Sequence, residues 1–169
     1  MNILIANIID FVAALLQVWT GAMKRKATIL AVQIVQMLMQ SVSMLLLGGV
    51  TGAVGNILSC YRNYLCYKEK LNVFWKGVLI AASVVTTVLL NEQGAWGVVP
   101  AVSGIVYILF MDVKDPVKFK LLVTLTSMPW LLYHFVLKAY VGAVCDVTFL
   151  ITNIITTCVM IKEKKTADA

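Results

Sequence analysis

Residues 3–47, ILIANIIDFVAALLQVWTGAMKRKATILAVQIVQMLMQSVSMLLL, decide the fold. Two apolar runs lie either side of Lys24-Arg25-Lys26. At about 1.5 Å of rise per residue, each run is long enough to cross a hydrocarbon layer about 30 Å thick as a helix. The three cations between them fit a short loop held in water at one membrane face. The pattern repeats down the chain. Apolar segments at 3–22, 27–47, 49–67, 72–90, 95–111, 117–138 and 140–161 read as seven transmembrane helices. Gly48-Gly49 makes a tight turn, Lys68-Glu69-Lys70 closes the third segment, and Asn91-Glu92-Gln93-Gly94 forms a loop. Asp112 to Lys120, with Pro116, forms the next connection, and Lys162 to Lys165 begin a tail. Segment 95–111 is short, so either a full crossing or a re-entrant element fits it.

The cations confirm the alternation. All but one of the 14 Lys and Arg fall on one side of it; Lys138 is the exception. A soluble protein has no reason to sort charge this way. A polytopic membrane protein keeps its short Lys/Arg-rich loops cytoplasmic. That rule puts the N-terminus outside and the C-terminus in the cytoplasm. The hydrophobic share of 61% and the mean hydropathy of +0.91 agree. A net charge of +6 would point to nucleic acid in a soluble chain. Here the loops account for it, and nucleic acid is set aside. The first run has no basic residues ahead of it, so it reads as an anchor and not a cleaved leader. Cys60, Cys66, Cys145 and Cys158 lie inside apolar segments without paired spacing. They read as small buried hydrophobes, with no metal or disulfide role.

Superposing Gly52-Ala53-Val54 on Gly142-Ala143-Val144 carries Asn63 onto Asn153 and Asn56 onto Asp146. The first three segments fall on the last three, and the fourth has no counterpart. An odd helix between two units gives them the same orientation. The expected fold is all-α and integral to the membrane: two parallel three-helix repeats joined by a linker helix, 3+1+3. The units are 1–68, linker 72–90, 91–161, and a cytoplasmic tail 162–169. Parallel repeats about an axis along the membrane normal are a known transporter plan.

Polar residues in the segments recur at helical spacing and form stripes. The first carries Asn7, Asp10, Gln17 and Gly21; the second Gln33, Gln36, Gln40 and Ser43; the third Asn56, Ser59, Asn63 and Tyr67. The sixth carries Ser127, Trp130 and His134, and the seventh Asp146, Asn153 and Thr157. The fourth offers Ser83, Thr86 and Thr87, as a lipid-facing linker would. Intramembrane polar groups usually face a bundle interior or a cavity. Hydrogen bonding between helices alone would also satisfy many of them. Asn56, Asp146, Asn63, Asn153, His134 and Trp130 are the expected substrate-binding residues. Asp146 and His134 lie near the same end of adjoining segments, where they could share a proton; Asp10 is a third proton-coupling candidate. A static His–Asp bond is the alternative. Arg62 is either an inner gate or anion contact, or a side chain snorkelling to the surface. Pro100 and Pro129 are candidate hinges, and Trp19, Trp75 and Trp96 candidate interfacial anchors.

The stretch Gly52 to Asn63, and the set Trp130, Tyr133, His134, Phe135, Gly142, Asp146, Phe149 and Asn153, resemble the YgjV-type bacterial inner-membrane proteins, as does Pro100 after a short loop. The resemblance covers most of the chain through diffuse motifs, with Asp146 standing where Glu is expected. It implies a bacterial inner membrane. The layout is similar to that of the SWEET and PQ-loop transporters. That similarity implies an Asn contact to solute from the third and seventh helices, here Asn63 and Asn153. It also implies proline hinges, of which Pro100 and Pro129 are present and those of the first two helices are missing. The expected function is a small-solute transporter or facilitator of SWEET-like type, taking a polar solute between the repeats by alternating access. A non-transporting accessory or sensor protein is the alternative. One His and no recognisable catalytic spacing speak against an enzyme. No cofactor or metal is expected, and lipid is the expected surroundings.

Overall fold

The computed structural model describes residues 2–47, 50–90, 94–136 and 140–167. The Gly48-Gly49 turn, residues 91–93 and Lys138 lie outside the described residues. Among them are seven α-helices: α1 (Asn2–Ala22), α2 (Lys26–Leu46), α3 (Val50–Tyr67), α4 (Val73–Leu90), α5 (Val98–Phe110), α6 (Pro116–Val136) and α7 (Tyr140–Ala167). A short 3₁₀ turn, Gly94–Gly97, precedes α5. α1, α2, α4 and α7 are each long and apolar enough to cross a membrane. α5 has 13 residues; with the 4-residue turn ahead of it the element reaches about 28 Å.

Local chemistry sets several ends. Asp115 caps α6: its Oδ1 accepts from the backbone N–H of Val117 and Lys118, at 2.8 and 3.1 Å. Pro116 follows at the first helical position, where its missing N–H costs nothing. Asn72 caps α4 through the Trp75 N–H. α3 ends with Lys70 N–H on the Leu65 carbonyl and Glu69 N–H on that of Cys66. This closure needs a left-handed residue, and Glu69 takes it at φ 55°. Glycine is at ease there, so Glu69→Gly is expected to raise stability by about 1 kcal/mol in a thermal melt.

α7 continues to Ala167, past the boundary expected near residue 161. Lys and Glu are good helix formers, and Lys164 and Lys165 in the last turn suit the helix dipole. Lys164 also reaches Asp115 at 2.9 Å, and Lys24 pairs with Glu163. The charged segment read as a tail is therefore the helix end, tied to two loops.

Each helix packs chiefly on its neighbours in sequence, and α7 returns to α1, so the seven close a ring. Short connections make successive helices antiparallel. α1 and α7 then run the same way, as their contacts require: Gln17 meets Asp146, and Gly21 meets Phe149 to Asn153. The fit at Gly21 is close. An added Cβ would lie 3.0 Å from the Phe149 carbonyl oxygen and 3.2 Å from Thr152 Cβ. Gly21→Leu is expected to push α1 from α7 and cost about 1–3 kcal/mol, read as a lower melting temperature.

The basic loops meet at one end of the ring. Lys76 pairs with Asp112 at 2.9 Å, Lys26 donates to the Val113 carbonyl at 2.8 Å, and Lys120 donates to the Gly21 and Met23 carbonyls at 2.7 and 2.9 Å. The apolar core fills this same half of the bundle. It joins the start of α2 (Ile29, Leu30), the end of α3 (Leu65, Cys66), the end of α5 (Tyr107, Ile108) and the start of α6 (Phe119, Leu122), with Met111 between. Outward, the ring shows large apolar side chains, such as Val88 at 75% exposure and Leu132 at 62%. Water would not tolerate such a belt, and lipid would. Cys158 lies on that outer face, not in the core as expected of it, because Asn153 and Thr157 take the inward positions of its turn.

The Asp115 cap carries a pH dependence. Its bond to the Lys164 ammonium, helped by the capped N–H groups, holds its carboxyl below the usual carboxylate range. A group with a lowered folded-state pKa stabilises the fold at neutral pH. That contribution fades as pH falls below about 4, through the folded-state value. Asp115→Asn keeps a cap acceptor and loses the charge. Its melting temperature is expected to fall below wild type at pH 7 and to converge with it in acid.

Candidate functional site

In the other half of the ring lies a cavity of about 620 Å³. All seven helices line it. α1 supplies Gln17, and α2 supplies Gln33, Gln36 and Gln40. α3 contributes Asn56, Ser59 and Arg62, and α5 contributes Pro100, Ser103 and Tyr107. α6 adds Ser127, Trp130 and Tyr133, and α7 adds Asp146 and Phe149. The wall runs from Arg62 and Tyr107, at the edge of the apolar core, to Met44, Leu90 and Tyr133 in the far turns of their helices.

α4 belongs to this wall. Ser83, Thr86 and Thr87 line the cavity and do not face lipid, as was expected of them. The reason is that a seven-membered ring needs α4 to bridge α3 and α5. Ser83 and Thr87 hydroxyls donate back to the Leu79 and Ser83 carbonyls, both at 2.8 Å, which leaves oxygen lone pairs for a solute.

Two hydrogen-bond networks cross the cavity. In one, Gln17 Nε2 donates to Asp146 Oδ1 at 3.0 Å, and Gln36 Nε2 reaches Gln17 Oε1 at 3.4 Å. This ties α7, α1 and α2 together around a carboxylate that is 4% exposed. In the other, Asn63 Nδ2 and the Tyr107 hydroxyl both donate to Gln33 Oε1, at 3.1 and 3.4 Å. Arg62 Nε donates to Asn63 Oδ1 at 3.2 Å, and its guanidinium stacks 4.6 Å from the centre of the Tyr107 ring. Gln33 and Gln36 are one helical turn apart on α2, so the networks occupy adjacent levels, separated by about 4.5 Å of helix rise.

Of the expected binding residues, Asn56, Asp146 and Trp130 reach the wall. Asn63 sits behind it, fully buried, and orients Arg62. Asn153 also faces away: its Nδ2 donates to the Lys120 carbonyl at 3.1 Å and to Thr124 Oγ1 at 2.7 Å, clamping α7 to α6. His134 falls in α6, and its side chain lies outside the described residues. Asp10 is on an exposed face of α1 and outside the wall. The buried face of α1 follows Ala6, Ala13 and Thr20 instead, small residues that let helices approach. The Ser43 hydroxyl donates to the Ala6 carbonyl at 3.0 Å there.

Pro100 is in the first turn of α5, where it breaks no internal hydrogen bond, and it lines the cavity. Pro129 lies inside α6 and removes the bond that would reach the Leu125 carbonyl. One residue on, the Thr126 carbonyl accepts the Ser103 hydroxyl of α5. Gln17, Gln33 and Gln36 belong to the polar stripes read as facing the interior but not to the expected binding residues, and Tyr107 belongs to neither. The spacing of Gln33, Gln36 and Gln40 on one helical face was the available signal.

Among the described residues no group of three His, Cys, Asp or Glu is placed to hold a metal ion. No buried side-chain nitrogen or oxygen among them lacks a hydrogen-bond partner. Comparison with curated proteins and with solved structures gives no match. A lipid-facing ring of helices and a match over residues 4–164 to the family model Imp-YgjV lead to one conclusion: the chain belongs to this family of bacterial inner membrane proteins.

Proposed function

We propose that this protein is a small-solute transporter or facilitator that binds a polar solute in the cavity and exposes it alternately to the two membrane faces. The observation that carries this reading is the cavity itself. A bundle that served only as an anchor or scaffold would fill its interior with packed side chains. Here about 620 Å³, within the roughly 300–1,000 Å³ of small-molecule sites, is walled by polar groups from seven helices. The positive-inside rule makes the basic end cytoplasmic, with the N-terminus outside. On that reading the cavity faces the outside and the apolar core is the closed inner gate.

A two-unit plan fits the contacts. Asn63 braces α3 to α2 through Gln33, and Asn153 braces α7 to α6 through Thr124, so each joins the third helix of its unit to the second. Asn56 and Asp146, also related by the repeat, both meet the cavity. Pro129 and the first-turn Pro100 mark where α6 and α5 would bend as the units rock. No chemical step is part of this reading.

A thermal-stability screen of detergent-purified protein tests it. The panel is sugars, nucleosides, amino acids, carboxylic acids and organic cations, at pH 5.5 and 7.5. A ligand of the folded state raises stability as the logarithm of its concentration over Kd. At least one class is expected to stabilise wild type and not Ser59→Trp, which fills the cavity. Stabilisation by no class would overturn the reading.

A further inference from the structure

We infer that the solute carries a carboxylate, docked on the Arg62 guanidinium at the cavity floor; this rests on the cavity being a solute site. Arg62 is 7% exposed. Its Nε donor is spent on Asn63. The two Nη groups, with four N–H donors, remain on a residue that lines the cavity. Since no buried side-chain nitrogen among the described residues lacks a partner, these donors are not dry.

The side chain is held, not wandering. Asn63 fixes Nε, Gln33 fixes Asn63, and the Tyr107 ring covers one face of the guanidinium. A planar fork so fixed matches the two oxygens of a carboxylate. Arg62 does not snorkel to the basic face: it stays buried, held by Asn63 and Tyr107. Among the described residues Arg62 is the only cation in the wall, and Asp146 the only anion. Asp146 is engaged one level away with Gln17. A neutral solute that displaced water from the floor would leave a desolvated guanidinium with no carboxylate in ion-pair contact, and that is unfavourable. An organic acid supplies the anion.

The test uses matched pairs on the whole purified protein: succinate with succinamide, and gluconate with glucose. Acids are expected to raise the melting temperature, with affinities at least about tenfold above their neutral partners. Arg62→Gln is expected to erase that difference, and Arg62→Lys to retain part of it. Should Arg62→Gln not fold, the wild-type difference and Arg62→Lys decide the matter. Equal stabilisation by acids and neutral partners would overturn the anion assignment and leave the solute cavity standing. Stabilisation by neutral members alone would do the same. Stabilisation by no member of either pair would overturn this inference; the solute reading falls with it only if the wider panel is also silent.

Discussion

Replacing Asp146 by Asn is expected to leave the protein folded and to flatten the pH dependence of solute binding. The fold survives because Asn keeps the oxygen that accepts from Gln17 at 3.0 Å. The volume of this 4%-exposed side chain hardly changes. What disappears is the only wall carboxylate among the described residues. One proton bound together with the solute at Asp146 changes Kd by up to about tenfold per pH unit. The melting-temperature shift caused by a ligand from the screen, followed across pH, measures this directly. Wild type is expected to show the steeper slope, and Asp146→Asn only what an acidic ligand's own protonation contributes. Identical slopes would remove Asp146 from proton coupling.

The second large effect is structural. Lys120→Met is expected to cost about 3 kcal/mol, close to 6–12 °C in melting temperature for a chain of this size. Lys120 is fully buried, and its ammonium holds the carbonyls of Gly21, in the last turn of α1, and of Met23, just past its end. Met can fill the space but cannot donate. The two carbonyls would then sit at a buried helix end without that partner, and the dipole of α1 would lose its cation. The Lys120 carbonyl also receives Asn153, so α1, α6 and α7 all meet at this residue. A change below about 1 °C would mean that water replaces the ammonium at no cost, contrary to this account.

The order and approximate limits of the helices were legible in the sequence. Hydropathy and the placement of Lys and Arg are properties of short stretches, so neither depends on tertiary packing. What depended on packing was harder to see. Asn63 and Asn153 have the helical spacing of inward-facing stripes, but spacing does not say which neighbour a side chain meets. Both turn into helix–helix seams. Of the stripe Asn7–Asp10–Gln17–Gly21 on α1, Gln17 and Gly21 do face the bundle, whereas Asn7 and Asp10 are exposed, since Ala6 and Ala13 take the buried positions of those turns. Ser83, Thr86 and Thr87 can satisfy themselves within α4, so nothing local distinguished a lipid face from a cavity wall. Lys120 looked like one more loop charge, and only the fold shows what it holds. Arg62 stood out early because no short-range feature explains a cation so deep in a helix.

The central claim is a solute-accessible cavity that reaches the membrane face opposite the basic loops. Ser59→Cys in a background lacking Cys60, Cys66, Cys145 and Cys158 tests it most directly, with a membrane-impermeant maleimide applied from each side in turn. The account predicts modification from the face opposite the basic loops, slowed by a ligand from the screen. Reaction from the basic side only, or from neither side while the denatured protein labels fully, would contradict it.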